Sequence, residues 1–274
     1  LGKADLSRRA VYHELPTLSF REYILLNHGI DLGFCGLTEL VADHENLAYA
    51  IAQKLTTKPV LGLFREYLEH GAYPFFLEGE AEYPARLRQV VEKVLFEDIP
   101  STTGVRLSNV PVLKKLLYEI ATSPPYEVNI ANMSRRFEIS RNTVYAYLHH
   151  LELAGLIVRV LSQGAGSTIT SKPAKLFFNN TNLLRAVGQP LSPPDPLGTA
   201  RETFFVNQLQ GAGHSLRVAR KGDFLVNGGL VFEIGGKGKG RGQIAREKNG
   251  FLVKDDLESG FGTSIPLWMF GLLY

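Results

Sequence analysis

The sequence predicts a mixed α+β protein in which the helices come first and the strands come later. Amphipathic helical patterns fill most of residues 1–125. Residues 126–188 end in short strand patterns, and residues 197–274 combine one helix with alternating strands. A proline-rich connector at 189–196, QPLSPPDP, separates the last two parts. We therefore expect three units, at 1–125, 126–188 and 197–274.

The composition is that of an ordinary globular protein. Of the 274 residues, 45% are hydrophobic and 21% are charged, which excludes a disordered chain. The single cysteine, Cys35, excludes an internal disulfide framework and a multi-cysteine zinc site. Because there is no signal peptide and no apolar run long enough to cross a bilayer, we expect a cytoplasmic protein with no membrane partner. The chain begins at Leu1 rather than at a methionine, so we expect it to be a piece of a longer protein.

Residues 1–125 are predicted to form a helical segment. Apolar residues recur at helical spacing over 37–55, 60–70, 83–95 and 110–121. Gly71 follows the second of these stretches as a C-cap signal. Ser123-Pro124-Pro125 ends the last stretch, because proline cannot continue a helix.

Residues 126–178 predict a winged helix-turn-helix. A short helix is expected at 132–137, a tight turn at 138–140, and a long helix at 141–154 with Ser140 as its N-cap. Strands at 156–161 and 175–178 would enclose a glycine-rich tip at 163–167. The N-terminal side chains of the second helix of such a unit can enter the major groove of DNA.

The distribution of charge predicts contact with double-stranded DNA. Residues 134–175 hold six Lys/Arg against two Glu, a net charge of +4, and residues 217–248 hold eight against three acids, a net charge of +5. The whole chain carries +3, so the remainder is acidic and the two basic islands suit a polyanion. The side chains suited to bases or phosphates are Arg135, Arg136, Ser140, Arg141, Asn142, Thr143 and Tyr145.

Protein docking is the alternative role of a winged helix, and it needs no DNA contact. A regulatory module of this kind would have a protein partner or would self-associate. His149 and His150 lie in the long helix without cysteine partners, so we do not expect them to bind a metal.

A predicted hairpin at 222–235 brings carboxylates together. The turn signal Asn227-Gly228-Gly229 sets Phe224 opposite Phe232 and Asp223 opposite Glu233. Glu202, on the preceding helix at 199–209, offers a third carboxylate. Carboxylate oxygens can hold Mg²⁺, and a bound metal can activate water against a phosphodiester. The candidate metal ligands are Asp223 and Glu233.

A helix followed by a hairpin with Asp and Glu and then a nearby lysine resembles the restriction-endonuclease-like core. Nucleases of that fold carry Asp and, further along, Glu-x-Lys. Here the residue two after Glu233 is Gly235, and the next lysine is Lys237, about 13 Å further along a regular strand.

Because of this departure, we favour a retained fold without cleavage, in which the carboxylates pair with Arg or Lys. The alternative is a Mg²⁺-dependent nuclease in which Asp223, Glu233, Lys237 and Glu202 are catalytic.

The glycine-rich run at 235–242 lacks the phosphate-loop pattern and predicts a flexible basic loop, in which Lys239 and Arg241 contact backbone phosphate.

Several phrases together resemble the C-terminal half of prokaryotic AAA-type ATPases. They include DLSRRAVYHELPTLSFREYI (5–24), FREYLEHGAYPFFLE (64–78), ISRNTVYAYLHHLELAGLI (139–157), GTARETFFVNQL (198–209), FEIGGKGKG (232–240) and IPLWMFGLLY (265–274). In that family a P-loop ATPase precedes a winged helix and a domain of unknown function with an endonuclease-like fold. The resemblance implies that residues 1–20 follow an absent ATPase core, with Arg8 and Arg9 near its sensor or finger arginines. ATP would then bind only through that absent N-terminal domain, and the present chain would be its nucleic-acid-binding or regulatory portion.

Overall fold

The computed structural model describes residues 13–55, 58–123, 126–164, 172–188, 196–236 and 238–274. Within these ranges the α-helices are α1 (Phe20–His28), α2 (Leu37–Lys54), α3 (Val60–His70), α4 (Tyr83–Lys93), α5 (Ile99–Thr103), α6 (Val110–Thr122), α7 (Ile130–Arg136), α8 (Arg141–Leu153), α9 (Thr181–Gly188) and α10 (Pro196–Gly211). The mixed α+β class is confirmed, with helices dominating the first part of the chain.

The strands form two sheets. They are β1 (Tyr126–Glu127), β2 (Ile157–Leu161), β3 (Pro173–Phe178), β4 (Leu216–Val218), β5 (Phe224–Val226), β6 (Leu230–Gly235), β7 (Gly250–Lys254) and β8 (Ser264–Pro266). The first sheet has the order β1-β3-β2 and is antiparallel. The second has the order β4-β5-β6-β7-β8, with β7 and β8 added in parallel.

Helix α1 ties the start of the described chain to its end. The Ser19 side chain accepts a hydrogen bond from the Glu22 amide, and the Glu22 carboxylate accepts one from the Ser19 amide, which forms a capping box. Phe20 and Tyr23 are fully buried. The Ser19 hydroxyl and the Arg21 guanidinium also donate to the carbonyl of Tyr274, so this helix packs against the last residues of the third unit.

The helix predicted at 83–95 ends earlier than expected. Helix α4 stops at Lys93, and a π-helix, Val94–Asp98, leads directly into α5. Pro100 explains the change, because it lacks an N–H donor and its ring would clash with the carbonyl four residues earlier. The wider π turn accommodates it.

Helix α6, at the end of the predicted helical segment, leads into the predicted second unit. The chain runs through α6, β1, α7, α8, β2 and β3, and β3 lies between the other two strands. The turn between α7 and α8 places Glu138 in the left-handed region, with φ of 55°. Residues 165–167 of the glycine-rich tip predicted at 163–167 lie outside the described residues. Helix α9 returns to pack against α3, α4 and α6, so the first two predicted units share a core.

The third unit places α10 against the five-stranded sheet. The predicted hairpin register is confirmed, with Phe224 opposite Phe232 and Val226 opposite Leu230. Phe205 of α10 packs on Phe224 at a ring-centroid distance of 5.5 Å and on Phe232 at 5.2 Å. Among the described residues, no helix is both long and apolar enough to cross a membrane.

Within the described residues, a strand bridge joins the two sheets. Ser162, just after β2, forms a parallel bridge with Val218 of β4. The Gln163 amide donates to the Val218 carbonyl at 3.2 Å. The second and third units are therefore in direct contact through their backbones.

Candidate functional site

The N-terminus of α8 presents polar and basic side chains to solvent. Arg141 and Asn142 occupy its first two positions, and both are exposed, as is Arg135 on α7. The Ser140 hydroxyl accepts a hydrogen bond from the Thr143 amide at 3.1 Å and lies 2.8 Å from the Thr143 hydroxyl. Ser140 and Thr143 therefore hold the start of the helix, and Arg141 and Asn142 remain available to a ligand.

The buried face of α8 fixes this presentation. Val144, Leu148 and Leu151 are completely buried, while Tyr145 is half-buried. These residues recur at helical spacing, so they anchor one side of α8 in the core and leave the first turn at the surface. The pKa of His150 is lowered by burial and by neighbouring His149, which favours its neutral form.

Arg136 lies beside this surface but is already paired. Its guanidinium is 3.2 Å from the Glu119 carboxylate of α6. The pair borders a cleft of about 540 Å³ between α6 and the end of α7, which Lys115, Tyr118 and Phe137 also line. The Arg136 side chain is 63% exposed, so water screens this pair strongly.

The predicted carboxylates do come together, with lysines among them. The Glu202 carboxylate accepts a hydrogen bond from the Lys175 ammonium at 2.9 Å. Asp223 Oδ2 accepts one from the Ile234 amide at 2.8 Å, and Asp223 Oδ1 lies 3.9 Å from the same ammonium. Burial raises the pKa of Glu202, and the positive charge of Lys175 opposes that shift. Lys175 belongs to β3, so the second unit contributes a cation to the third.

Glu233 is neutralised by a different lysine. Its side chain is completely buried, and the Lys239 ammonium lies 2.5 Å from Oε1. Neither carboxylate oxygen accepts a hydrogen bond of good geometry, so the ammonium contact is what balances this charge. The Glu233 carboxylate raises the pKa of Lys239. Lys239 is therefore engaged inside the protein, although the sequence indicates a phosphate contact for it.

Gly235 makes room for this lysine. A Cβ atom added at Gly235 would lie 2.4 Å from Cβ and Cγ of Lys239, so the lysine stem passes directly over the glycine. Gly235 stands where the Glu-x-Lys pattern has its lysine, and Lys239 brings an ammonium to Glu233 from four residues further on. Lys237, the predicted catalytic lysine of the nuclease alternative, lies outside the described residues. In the sequence, the glycine at position 235 was the signal that another side chain could pass over β6 at this point.

The predicted Mg²⁺ ligands have other partners in this structure. Glu202 and Glu233 each face a lysine, and Asp223 is held by a backbone amide. In the part of the chain that the structure describes, no three His, Cys, Asp or Glu side chains are grouped so that they could hold a metal ion. The arrangement is a network of charge pairs.

Two further arginines border the cluster. Arg201 pairs with Asp255 just after β7, and the sequence did not predict this contact because the two residues are far apart in the chain. The exposed Arg241, predicted to contact phosphate, donates to the Gly250 carbonyl at 3.1 Å.

Comparisons with known proteins locate a family match but no described activity. Residues 61–195 match a family described as a domain of unknown function, DUF8612. The chain is also similar to uncharacterized protein MJ1637 of Methanocaldococcus jannaschii, with 24% identity over 177 residues. That match covers 64% of this chain and 37% of the archaeal protein. No solved structure matches the chain. The family match spans most of α3, all of α4–α9 and the three-stranded sheet, and it ends before the five-stranded sheet.

Proposed function

We propose that residues 110–178 form a winged helix that binds duplex DNA. We further propose that residues 197–274 keep a restriction-endonuclease-like fold that does not cleave DNA. Together they would act as the nucleic-acid-binding, regulatory portion of an AAA-type ATP-binding protein.

The chain order supports the winged-helix part of the proposal. A helix, a short strand, two further helices and two antiparallel strands follow one another, and the last strand lies in the middle of the sheet. The observation that carries the proposal is the exposed first turn of α8, with Arg141 and Asn142 facing solvent. Both side chains can form paired hydrogen bonds with base edges. The positive end of the helix dipole lies at the same place and favours phosphate.

Charge pairing supports binding without cleavage. Glu233 is buried against Lys239, and Glu202 is paired with Lys175. In both carboxylates a lysine ammonium already balances the negative charge that would attract a metal ion. The resemblance to Glu-x-Lys nucleases therefore supports the fold of this unit rather than its catalysis.

The proposed ATPase parent rests on the sequence resemblance. The 274 residues contain no Walker A pattern. ATP hydrolysis is accordingly assigned to a domain outside this chain.

Binding of labelled duplex DNA, measured by fluorescence anisotropy at several salt concentrations, tests the proposal. We expect binding that weakens steeply with salt, and we expect Arg141→Ala to reduce the salt slope by about 1. Arg88→Ala is the matched control, because Arg88 is an exposed arginine on α4. Absent or salt-independent binding would overturn the proposal. A co-purifying protein in place of DNA would favour the docking alternative.

A further inference from the structure

We propose that the DNA-binding surface continues from the winged helix onto a basic patch of the third unit. The patch consists of Arg220, Lys221, Arg246 and Lys248, and the expected partner is a duplex long enough to contact both areas. This inference rests on the proposed function and extends it to residues outside the family match.

The first step is the relation between α8 and β2. The two elements are tied where α8 ends, because the amide and side chain of Arg159 in β2 both donate to the Glu152 carboxylate. The 13 residues of α8 span about 20 Å and the five residues of β2 span about 17 Å. A β2 that runs back along the helix therefore ends on the side of the unit where α8 begins.

The second step leads from β2 into the third unit. The bridge between Ser162 and Val218 sets the end of β2 beside the end of β4. Arg220 follows Val218 by two residues, so their α carbons are at most about 7.6 Å apart. The exposed Arg220 thus lies near the end of β2.

The third step joins two loops into one patch. Lys221 lies 3.4 Å from Glu247, which links the loop between β4 and β5 to the loop before β7. Gly222 packs so closely against Ile244 that a Cβ atom there would be 2.9 Å from its side chain. Arg246 and Lys248 flank Glu247, and both are exposed. The basic side chains of the two loops therefore share one surface.

The acidic side chains of this segment do not offset the charge of its exposed arginines and lysines. Residues 217–248 contain three acidic side chains. Glu233 is completely buried, and Asp223 is 19% exposed within the lysine cluster. Glu247 is the remaining acid, and Lys221 pairs with it. The exposed charge of Arg220, Arg246 and Lys248 is consequently left for a polyanion.

The dimensions suit an extension of one DNA site. Neighbouring strands lie about 4.8 Å apart, so the three steps from β2 through β4 and β5 to β6 cover about 14 Å. At 3.4 Å per base pair along the duplex, this distance adds about four base pairs of backbone contact. Arginine and lysine contacts to phosphate carry no sequence information, so the patch should add affinity without specificity.

Salt-dependent binding and hydroxyl-radical footprinting of the full chain on a 30-base-pair duplex test this extension. For the double variant Arg220→Ala/Arg246→Ala, we expect the salt slope to fall by about 2, since each lost phosphate contact contributes about 0.9. We also expect a footprint shortened by about four base pairs. Arg88→Ala should leave the footprint unchanged. The charge-reversal variant Arg220→Glu should weaken binding more than Arg220→Ala does. Circular dichroism checks that each variant is folded.

The outcomes separate this inference from the proposed function. If the wild-type chain binds no duplex, the proposed function fails and the extension fails with it. If Arg141→Ala weakens binding while the double variant keeps the wild-type slope and footprint, only the extension is overturned. Tighter binding to single-stranded RNA of equal length would overturn the assignment of duplex DNA as the partner of the patch.

Discussion

Removing the Lys239 ammonium should destabilise the protein strongly. Glu233 is completely buried, and Lys239 Nζ at 2.5 Å is the cation that balances its charge. Breaking a buried ion pair by removing one partner typically costs about 3–5 kcal/mol, because the other charge remains buried and unpaired. Lys239 is 37% exposed, and water can partly replace it, so we expect Lys239→Ala to cost about 3 kcal/mol.

The position of Gly235 provides a rescue for the loss of the Lys239 ammonium. Residues 233 and 235 lie on the same face of β6, about 7 Å apart along the strand, and a lysine stem can cover that distance. Alanine at 239 keeps the Cβ atom that a Cβ at 235 would meet at 2.4 Å, so the rescue is made in the Lys239→Gly background. Gly235→Lys in that background should restore more than half of the stability that Lys239→Gly loses.

Urea denaturation and thermal unfolding at neutral pH measure the loss of stability and its recovery. At about 2–4 °C per kcal/mol, the Lys239→Ala loss corresponds to a fall in Tm of about 6–12 °C. Lys248→Ala is the control, since exposed lysines usually change stability by less than about 0.5 kcal/mol. A cost below about 1 kcal/mol for Lys239→Ala would refute the reasoning. Failure of the lysine at 235 to restore stability would refute the placement of Lys239 over Gly235.

Three further predictions concern the turn, the cluster and catalysis. Glu138→Gly should stabilise the fold by about 1 kcal/mol in thermal unfolding, because Glu138 adopts a φ of 55° that glycine tolerates without strain; a loss of stability would contradict this. Burial raises the pKa of Glu202, so its contribution to stability is fully present below the unfolded pKa and is lost as pH rises through the raised folded pKa. In urea titrations from about pH 4 to 7, Glu202→Gln should flatten this decline in stability, and an unchanged pH profile would contradict the prediction. In a plasmid assay with Mg²⁺ or Mn²⁺, wild type and Asp223→Ala should be equally inactive, whereas cleavage lost only in Asp223→Ala would restore the nuclease alternative.

Local patterns predicted the local structure well. The C-cap at Gly71, the N-cap at Ser140 and the register of the 224–232 hairpin follow from residues close together in the chain, and the structure confirms them. The predicted short helix at 132–137 was shifted: α7 begins two residues earlier, because the Asn129 side chain caps it. Strand β1 has only two residues, too few for an alternating pattern, so the sequence did not predict it.

Non-local contacts were the part that the sequence could not provide. The register of the hairpin from Phe224 to Phe232 could be predicted from the sequence, but the cations that pair with Glu202 and Glu233 could not. Lys175 reaches Glu202 from 27 positions away, and Lys239 reaches Glu233 around a glycine-rich bend. In both cases the pairing depends on how separate elements pack, and no spacing rule for a single helix or strand describes it.

Lys175 also changes how the predicted division of the chain should be understood. It lies on β3, pairs with Glu202 of α10, and its ammonium is 5.5 Å from the centre of the Phe224 ring. Together with the Ser162–Val218 bridge, these contacts connect the second unit to the third on both sides of the 189–196 connector. A proline-rich stretch is commonly interpreted as a linker between independent domains, but here the elements it joins share charge pairs and strand contacts. Lys175 of the second unit neutralises the buried Glu202 of the third. Separating the two units would leave the Glu202 carboxylate without its cation, so this pair favours a fixed relative orientation of the units. That fixed orientation is what a continuous DNA surface across both units requires.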